Sequence, residues 1–380
     1  MRIKTSVLVI FPSSCNIIKF SDIVNTVRTR LALRNVSTQR VTYETRCIIF
    51  EVNNLVDAMS SVSEIYGIER VAIAKKVNNE FRDLTDNIVR IGRRIVVPDS
   101  SFFIQVLVDK YAKIDFASKD LQFIASGKLL TETAVDPRHF KIARDENTAD
   151  HIITCYVGRR ISYVFIHSEI GLGGFPYNFQ QHKALSTIRN PISTASCLES
   201  LKFGFAPEIC LLYHDVGELR DNAKLLGLVA KRTNLRRMNI RVGRIDLACV
   251  SKSERNFLLE EALAICLLTM LPGKIVVLPL NMYIHSFLFV EQTMERMRRF
   301  DKAVLTPLLF QKDPFNVFTS DIVGRMTKPR NFISPFTTSR IECQKCYERA
   351  GKLSQSLLDK LKNVSFKIGP NYIHDIIDSI

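Results

Sequence analysis

At 380 residues the chain is long for a single hydrophobic core, so we expect two or three domains. Its 46% hydrophobic and 24% charged residues are typical of a globular protein and exclude a disordered or fibrous chain. Every apolar run falls short of the roughly 18–20 residues that cross a membrane, and the N-terminal apolar run is too short for a secretory signal. We therefore expect a cytoplasmic protein without a membrane partner.

The chain is strongly basic, with a net charge of +15 and an isoelectric point near 9.5. Such an excess attracts polyanions, of which nucleic acid is the commonest; colloidal solubility is the alternative explanation. The nine cysteines mostly stand alone inside apolar runs, as Cys47, Cys155, Cys210 and Cys266 do. This pattern is typical of buried thiols in a reducing compartment.

Residues 1–76 alternate between strand and helix patterns. Apolar residues recur at helical spacing from Ile23 to Leu31, with arginines on the other face. We predict strands over residues 3–11, 41–52 and 68–74 and helices over 22–33 and 55–66. The order β-α-β-α-β is typical of a small ferredoxin-like α+β unit. Its incomplete sheet would be marginal alone, so we expect it to pack against the segment that follows.

The next segment, residues 78–170, contains a different mixture of elements. A helix is expected over 84–92, a strand over 101–109, and a helix over 118–130 that Ser118 caps and Gly127 interrupts. Residues 151–157 and 161–166 form a hairpin across Gly158.

From residue 171 onward, short apolar strands alternate with helices. The strands are predicted at 184–188, 208–213, 238–247, 274–280 and 303–309, and the helices at 195–203, 218–232, 253–271 and 285–300. This spacing favours a mostly parallel sheet with helices on both faces. Ligands of such sheets bind beyond the carboxyl ends of the strands, where the first connection is the loop 189–194.

The C-terminal tail contains a predicted helix (353–361), a strand (364–368) and an apolar end (372–380). The apolar end would have to pack against its own domain or against a partner chain.

Four stretches resemble a known family. They are the strand, helix and Y-G-I of residues 50–74, the F-x-V-type strand and helix of 103–121, the G-L-G-G-F-P turn of 171–176, and the V-L-T-P-L-L strand of 304–309. In this order they resemble the tRNA 4-thiouridine synthases (uridine 8 sulfurtransferases). The resemblance implies an α/β chain with a ferredoxin-like N-terminal domain (1–77), a THUMP RNA-binding domain (78–172) and a Rossmann-like PP-loop domain of the adenine nucleotide alpha hydrolase type with the tail (173–380).

The resemblance also implies a mechanism in which the THUMP domain grips tRNA and the PP-loop, S-G-G-x-D-S, holds ATP. That motif falls on residues 189–194, where the chain reads R-N-P-I-S-T. Glycines let backbone amides approach phosphate, whereas Pro191 removes one amide donor. The implied nucleotide-binding residues are Arg189, Asn190, Ser193 and Thr194. We interpret the loop as a degenerate one that is kept as a structural turn.

The sulfur-carrying end of the family corresponds to the Cys343-x-x-Cys346 motif. A single C-x-x-C motif is compatible with redox chemistry, half a zinc site or sulfur transfer. The resemblance assigns the catalytic role to Cys343 and Cys346. With Cys249 as a third thiolate, the same residues would form a metal or iron–sulfur site.

Basic residues in loops and on one strand are the candidates for RNA contact. Two of them, Arg237 and Arg241, alternate with apolar residues and share the non-core face of their strand. The full set is Lys110, Lys113, Lys119, Arg159, Arg160, Arg237 and Arg241.

The sequence therefore predicts a protein that binds tRNA or structured RNA and lacks the standard ATP-dependent adenylation. The alternative is an active tRNA sulfurtransferase with a remodelled ATP site, in which Arg189 and Thr194 replace the loop and Cys343 or Cys346 carries sulfur. ATP or an iron–sulfur cluster is expected as a cofactor in that alternative alone. A homodimer or a sulfur-donor protein is the further partner considered, and a third hypothesis is an oligomeric scaffold formed through the apolar C-terminus.

Overall fold

The computed structural model describes residues 6–13, 19–97, 99–133, 141–247, 257–314, 340–369 and 372–379. The chain divides into two compact units, Met1–Gly174 and Phe175–Ile380. Within the described ranges, no helix has the length and apolar character needed to cross a membrane.

The first unit contains nine strands, four α-helices and a short 3-10 helix (Glu146–Thr148) in its described part. The strands are β1 (Ser6–Pro12), β2 (Thr38–Tyr43), β3 (Ile48–Val52), β4 (Ile68–Asn78), β5 (Ser101–Val108), β6 (Lys141–Ile142), β7 (His151–Val157), β8 (Ile161–Phe165) and β9 (Ser168–Gly173). The helices are α1 (Phe20–Leu33), α2 (Leu55–Ser63), α3 (Phe81–Gly92) and α4 (Ser118–Thr133). The helix α4 continues through Gly127, so the predicted interruption there is wrong.

The first four strands and two helices form a complete ferredoxin-like unit in the order β-α-β-β-α-β. Strand β1 lies between β3 and β4 and is antiparallel to both. The single strand predicted over 41–52 is wrong, because the chain reverses between Glu44 and Cys47 to make the antiparallel pair β2–β3. The sheet of this unit is therefore complete, and α1 buries Ile23, Val27 and Leu31, which the helical pattern had singled out.

A continuous sheet links this unit to the segment after it. Its strand order is β2-β3-β1-β4-β8-β7-β5-β6, with β9 also paired to β4. The predicted hairpin is confirmed as the antiparallel pair β7–β8. The predicted boundary between residues 77 and 78 falls at the end of β4, which pairs with strands of both segments, and it stays a prediction.

The second unit contains six strands and six helices in its described part. The strands are β10 (Lys183–Ile188), β11 (Ala206–Tyr213), β12 (Arg237–Arg244), β13 (Ile275–Val277), β14 (Ala303–Leu305) and β15 (Lys362–Lys367). The helices are α5 (Pro191–Lys202), α6 (Val216–Arg232), α7 (Phe257–Met270), α8 (Phe287–Arg299), α9 (Arg340–Leu358) and α10 (Tyr372–Asp378).

The sheet of the second unit has the strand order β14-β13-β10-β11-β12-β15. All neighbours are parallel except β15, which is antiparallel to β12. The chain runs from β10 outward to β12 and then returns to β13 on the other side of β10. The strand order thus reverses between β10 and β13, and a ligand of this fold would bind at their carboxyl ends.

Helices cover both faces of this sheet. Helices α7, α8 and α9 bury one face in a core that includes Leu185 and Leu212. Helices α5 and α6 pack against each other and against β10 and β11 on the other face. The C-terminal helix α10 packs against α6 and β15 and buries Ile376. The apolar C-terminus therefore packs against its own unit, which is one of the two arrangements expected for it, the other being contact with a partner chain.

Several predicted boundaries in this unit are wrong. The strands predicted to reach residues 247, 280 and 309 end at Arg244, Val277 and Leu305. Two helix starts also differ, and both concern candidate residues. Helix α5 begins at Pro191, so the residues expected to form a six-residue loop are mostly helical. The tail helix begins at Arg340 instead of residue 353, and it therefore includes Cys343 and Cys346.

Candidate functional site

The chain turns sharply where β10 ends at the carboxyl edge of the second sheet. Asn190 has extended backbone angles and is the N-cap of α5. Its side chain accepts a hydrogen bond from the Ser193 amide, while the Ser193 hydroxyl accepts one from the Asn190 amide. Pro191 occupies the first helical position, where its missing N–H costs nothing. The result is a capping box that starts the helix directly after the strand.

Four backbone amides of this turn, at residues 189, 190, 193 and 194, are bonded within the turn itself. Both Arg189 N and Asn190 N donate to Ser193 Oγ, at 3.0 and 3.1 Å. Ser193 N donates to Asn190 Oδ1 at 2.9 Å, and Thr194 N donates to Asn190 O at 3.1 Å. A phosphate cradle requires amides that point outward at the anion. The four predicted nucleotide-binding residues thus lie together, and their amides bond inside the turn. Their role in nucleotide binding stays a prediction.

The side chain of Arg189 is buried in an ion-pair network. It is 4% exposed and donates to Glu260 at 2.6 Å and to Glu261 at 2.5 Å. Its guanidinium also lies 5.6 Å from the centre of the Phe257 ring. Glu261 is 2% exposed, so its charge has lost most of its hydration and needs this partner. The positive charge expected to attract phosphate is used by carboxylates of the protein.

His214 extends the network at the carboxyl end of β11. Its Nε2 lies 3.3 Å from Glu260 Oε1, which is ion-pair range without hydrogen-bond geometry, and the Glu260 carboxylate raises the pKa of His214. The His214 amide donates to Glu218 at 2.7 Å, and burial raises the pKa of that carboxyl group. Three carboxyl groups therefore surround one arginine and one histidine. The group thus contains more acidic than basic side chains.

A buried histidine, His285, lies in the segment that follows β13, the strand on the other side of β10. His285 accepts a hydrogen bond at Nδ1 from the Asn281 amide at 3.1 Å, and its ring stacks on Phe289 with centroids 5.5 Å apart. Burial lowers the pKa of His285, so the ring is neutral. It packs as a core side chain.

The two cysteines of the C-x-x-C motif lie one turn apart on α9. Cys343 is 1% exposed and belongs to the core under α7 and α8, and burial raises its pKa. Burial also raises the pKa of Cys346, to about 12. Protonated thiols are poor nucleophiles and poor metal ligands. The third predicted ligand, Cys249, lies outside the described residues, and within those residues no group of three or more His, Cys, Asp or Glu side chains is placed to hold a metal.

In the first unit, two of the basic RNA candidates lie beside an exposed tyrosine. We term this exposed group the Tyr111 platform; it consists of Lys110, Tyr111 and Arg159. The Arg159 guanidinium lies 5.1 Å and the Lys110 ammonium 5.6 Å from the centre of the Tyr111 ring. Both distances are within cation–π range. Tyr111 remains 58% exposed as a residue despite its two cationic neighbours.

A buried carboxylate fixes the loops that carry this platform. Asp109 accepts hydrogen bonds from Thr45 N (2.6 Å), Thr45 Oγ1 (2.8 Å), Tyr111 N (2.9 Å) and Tyr156 Oη (2.8 Å). Burial alone would raise the pKa of Asp109, but these donors outweigh it and lower the pKa to about 2. Beside it, Glu44 accepts from the Arg159 amide at 3.0 Å. The β2–β3 turn, the loop after β5 and the β7–β8 turn are therefore held together by two carboxylates.

The remaining RNA candidates fall into two groups. Lys113, Lys119 and Arg160 are exposed in the first unit. In the second unit Arg237 is exposed, whereas Arg241 on the same strand face pairs with Glu208 at 2.7 Å.

The β2–β3 turn contributes to this site, and no local sequence pattern predicts that contribution. Thr45 anchors the turn to Asp109, and the exposed Arg46 follows it. The two anchored residues lie 64 positions apart and carry no shared motif. The charged residues Glu44 and Arg46, between two β-rich runs, were the available sequence signal for a turn here.

The chain matches no family model, and no curated protein is detectably similar to it in sequence. Solved structures with a similar fold include the following two. One is a 4-thiouridine synthetase–RNA complex with bound ATP, with a TM-score of 0.62 and 12% identity over 95% of this chain and 100% of that chain. The other is PH1313 from Pyrococcus horikoshii Ot3, with a TM-score of 0.60 and 16% identity over 80% of this chain and 94% of that chain. At these identities the likeness shows the fold: an α/β chain with a ferredoxin-like and THUMP part followed by a Rossmann-like, PP-loop-type sheet.

Proposed function

We propose that this protein binds structured RNA, with tRNA as the first candidate, as an accessory component of tRNA modification. Its fold is similar to that of a 4-thiouridine synthetase that was solved with RNA. The observation that carries the proposal is the Tyr111 platform, where two cations frame an exposed aromatic ring. Cations supply phosphate contacts and aromatic rings supply stacking, which are the two main elements of RNA surfaces.

We further propose that the protein does not adenylate RNA by the PP-loop route. The self-bonded turn after β10 and the carboxylates around Arg189 support this. An active sulfurtransferase would have to release Arg189 from Glu260 and Glu261 and bring Cys343 out of its core. ATP–pyrophosphate exchange in the presence of tRNA separates the two functions, since exchange activity would establish the sulfurtransferase alternative.

The RNA proposal is tested by measuring tRNA affinity against salt concentration. Because each phosphate contact releases a counterion, the logarithm of affinity should fall steeply with the logarithm of salt. Lys110→Gln, Arg159→Gln and Arg160→Gln should each weaken binding and reduce the slope by about 1. Lys224→Gln is the matched control, because Lys224 is an exposed cation on α6 that is paired with Asp221. Absence of binding at low salt, or a flat response, would contradict the proposal.

A further inference from the structure

We propose that Tyr111 is the stacking site for an unpaired nucleobase of the bound RNA, and that Asp109 is the residue that positions it. This inference rests on the proposed RNA binding and adds to it the chemical class of nucleotide that the surface selects. It follows from the exposure of the ring, the placement of the two cations and the anchoring of the loops beneath them.

The exposed ring is the first observation. Tyr111 follows directly after Asp109, and its amide is fixed by that carboxylate at 2.9 Å. The loop therefore presents the side chain in a defined place while the residue remains 58% exposed. A ring that is held at the surface before binding loses little conformational freedom when a partner stacks on it.

The position of Arg159 is the second observation. Its amide donates to Glu44 at 3.0 Å, and its Nε lies 3.9 Å from Asp109 Oδ1 and 4.0 Å from Glu44 Oε2. These contacts keep the guanidinium beside the Tyr111 ring. Among the described residues, the Lys110 ammonium has no ion pair or hydrogen bond beside its contact with the ring. It can therefore leave the ring to meet the phosphate of a nucleotide that stacks there.

An unpaired base fits this surface better than a duplex. Bases in an A-form helix are stacked on one another and show proteins their phosphates and 2′-hydroxyls, so a ring that projects from a loop has no base face to contact. A single-stranded base offers its π-face to an aromatic ring, and a guanidinium plane next to that ring can stack on it as well. The platform combines these two groups with a mobile cation.

The experiment uses two RNA probes, a hairpin with a single-stranded tail and the same hairpin with a blunt end. In both, a non-nucleotide linker closes the stem, so that the tail supplies the unpaired bases. The chain contains no tryptophan, so Tyr111→Trp introduces a single fluorophore at the platform. The tailed hairpin should quench its fluorescence, and the blunt hairpin should not. Tyr111→Leu should bind the tailed hairpin about 5- to 150-fold more weakly than wild type, while Tyr111→Phe should bind it like wild type. The salt dependence should be the same in all of them, because no charge is removed.

The role of Asp109 is tested in the Tyr111→Trp protein. Asp109→Asn should reduce both the quenching by the tailed hairpin and the preference for it over the blunt one. It also removes a negative charge beside Arg159, so these two quantities, and not the salt dependence, are its readout. Thr45→Ala removes one hydroxyl donor to the same carboxylate and should have a smaller effect in the same direction; it serves as the readout if Asp109→Asn does not fold.

The outcomes separate this inference from the function on which it rests. If wild type binds neither hairpin at low salt, the proposed function fails. If both hairpins bind with equal affinity, or if Tyr111→Leu binds the tailed hairpin like wild type, RNA binding stands and the stacking site is wrong. If polyglutamate competes as well as the tailed hairpin does, the platform is a general anion site and the inference is also overturned.

Discussion

Replacing Arg189 by methionine decides whether this residue supports the fold or serves a ligand. The side chain is 4% exposed and neutralises two carboxylates, one of which, on Glu261, is 2% exposed. In Arg189→Met the chain keeps an apolar side chain of similar length, so packing against Phe257 is largely retained. What is lost is the charge, and Glu261 is left buried without a cation.

The expected cost follows from the burial of that pair. Removing one partner of a buried ion pair typically destabilises a protein by about 3–5 kcal/mol. For a unit of about 200 residues, this corresponds to a fall in Tm of roughly 6–20 °C. Arg241→Met is a matched control, because Arg241 pairs with Glu208 at 2.7 Å while both side chains remain partly exposed. Such a pair contributes about 1 kcal/mol or less, so the control should melt within a few degrees of wild type.

The assay combines thermal melting with hydrogen exchange measured by mass spectrometry. Melting gives the size of the effect, and exchange should show faster opening in α5 and α7, the two helices that Arg189 connects. Arg189→Met/Glu261→Gln should recover part of the lost stability, since the buried charge that needed Arg189 is gone.

A residue reserved for a ligand behaves in the opposite way. Sites held ready for a ligand are often destabilising, so their removal leaves stability unchanged or raises it. If Arg189→Met melts at or above wild type, and if magnesium-ATP raises the melting temperature of wild type, Arg189 is a ligand-binding cation and our reasoning about the turn is refuted.

Two further predictions concern titratable groups. His214 has a raised pKa in the folded state because of Glu260, so its contribution to stability is present below its unfolded pKa of about 6.5 and is lost as the pH rises through the folded value. The stability difference between wild type and His214→Gln should therefore be largest below about pH 6.5 and shrink as the pH rises above it. A difference that stays constant with pH would show that His214 and Glu260 do not interact. The buried thiol of Cys346, whose pKa is raised to about 12, should react with a thiol-specific reagent at neutral pH much more slowly than after unfolding. Equal rates in the folded and unfolded protein would restore it as a candidate nucleophile.

Local patterns identified most of the elements but missed a turn. The apolar strands, the amphipathic helices and the β7–β8 hairpin were readable because each depends on residues close together in sequence. The β2–β3 turn was missed because its residues 44–47 include no glycine, proline or asparagine. The turn is stabilised by Asp109, which binds Thr45 from 64 positions away. A sequence pattern over a few neighbouring residues cannot predict such a bond.

The start of α5 was missed for a different reason. Residues 190–193 carry a recognisable helix start. It consists of an asparagine at the N-cap, a proline directly after it and a serine three positions after the asparagine. Because the PP-loop motif of the similar family falls on residues 189–194, a loop was predicted there. The helix start that the local pattern indicates was therefore not predicted. The pairing of Arg189 with Glu260 and Glu261 spans 71 and 72 positions, and it could not be read from sequence.

The charges around Arg189 also set a limit on nucleotide affinity. For its guanidinium to reach a phosphate, the pairs with Glu260 and Glu261 would first have to break, at a cost of about 3–5 kcal/mol. That cost is subtracted from the binding free energy, so the apparent affinity would be lower by about two to nearly four orders of magnitude than that of a preformed site. The two carboxylates would then also repel the triphosphate from close range. A chain that retained ATP binding at this turn would need to place Glu260 and Glu261 elsewhere, and their helix α7 is buried in the core that holds the sheet together.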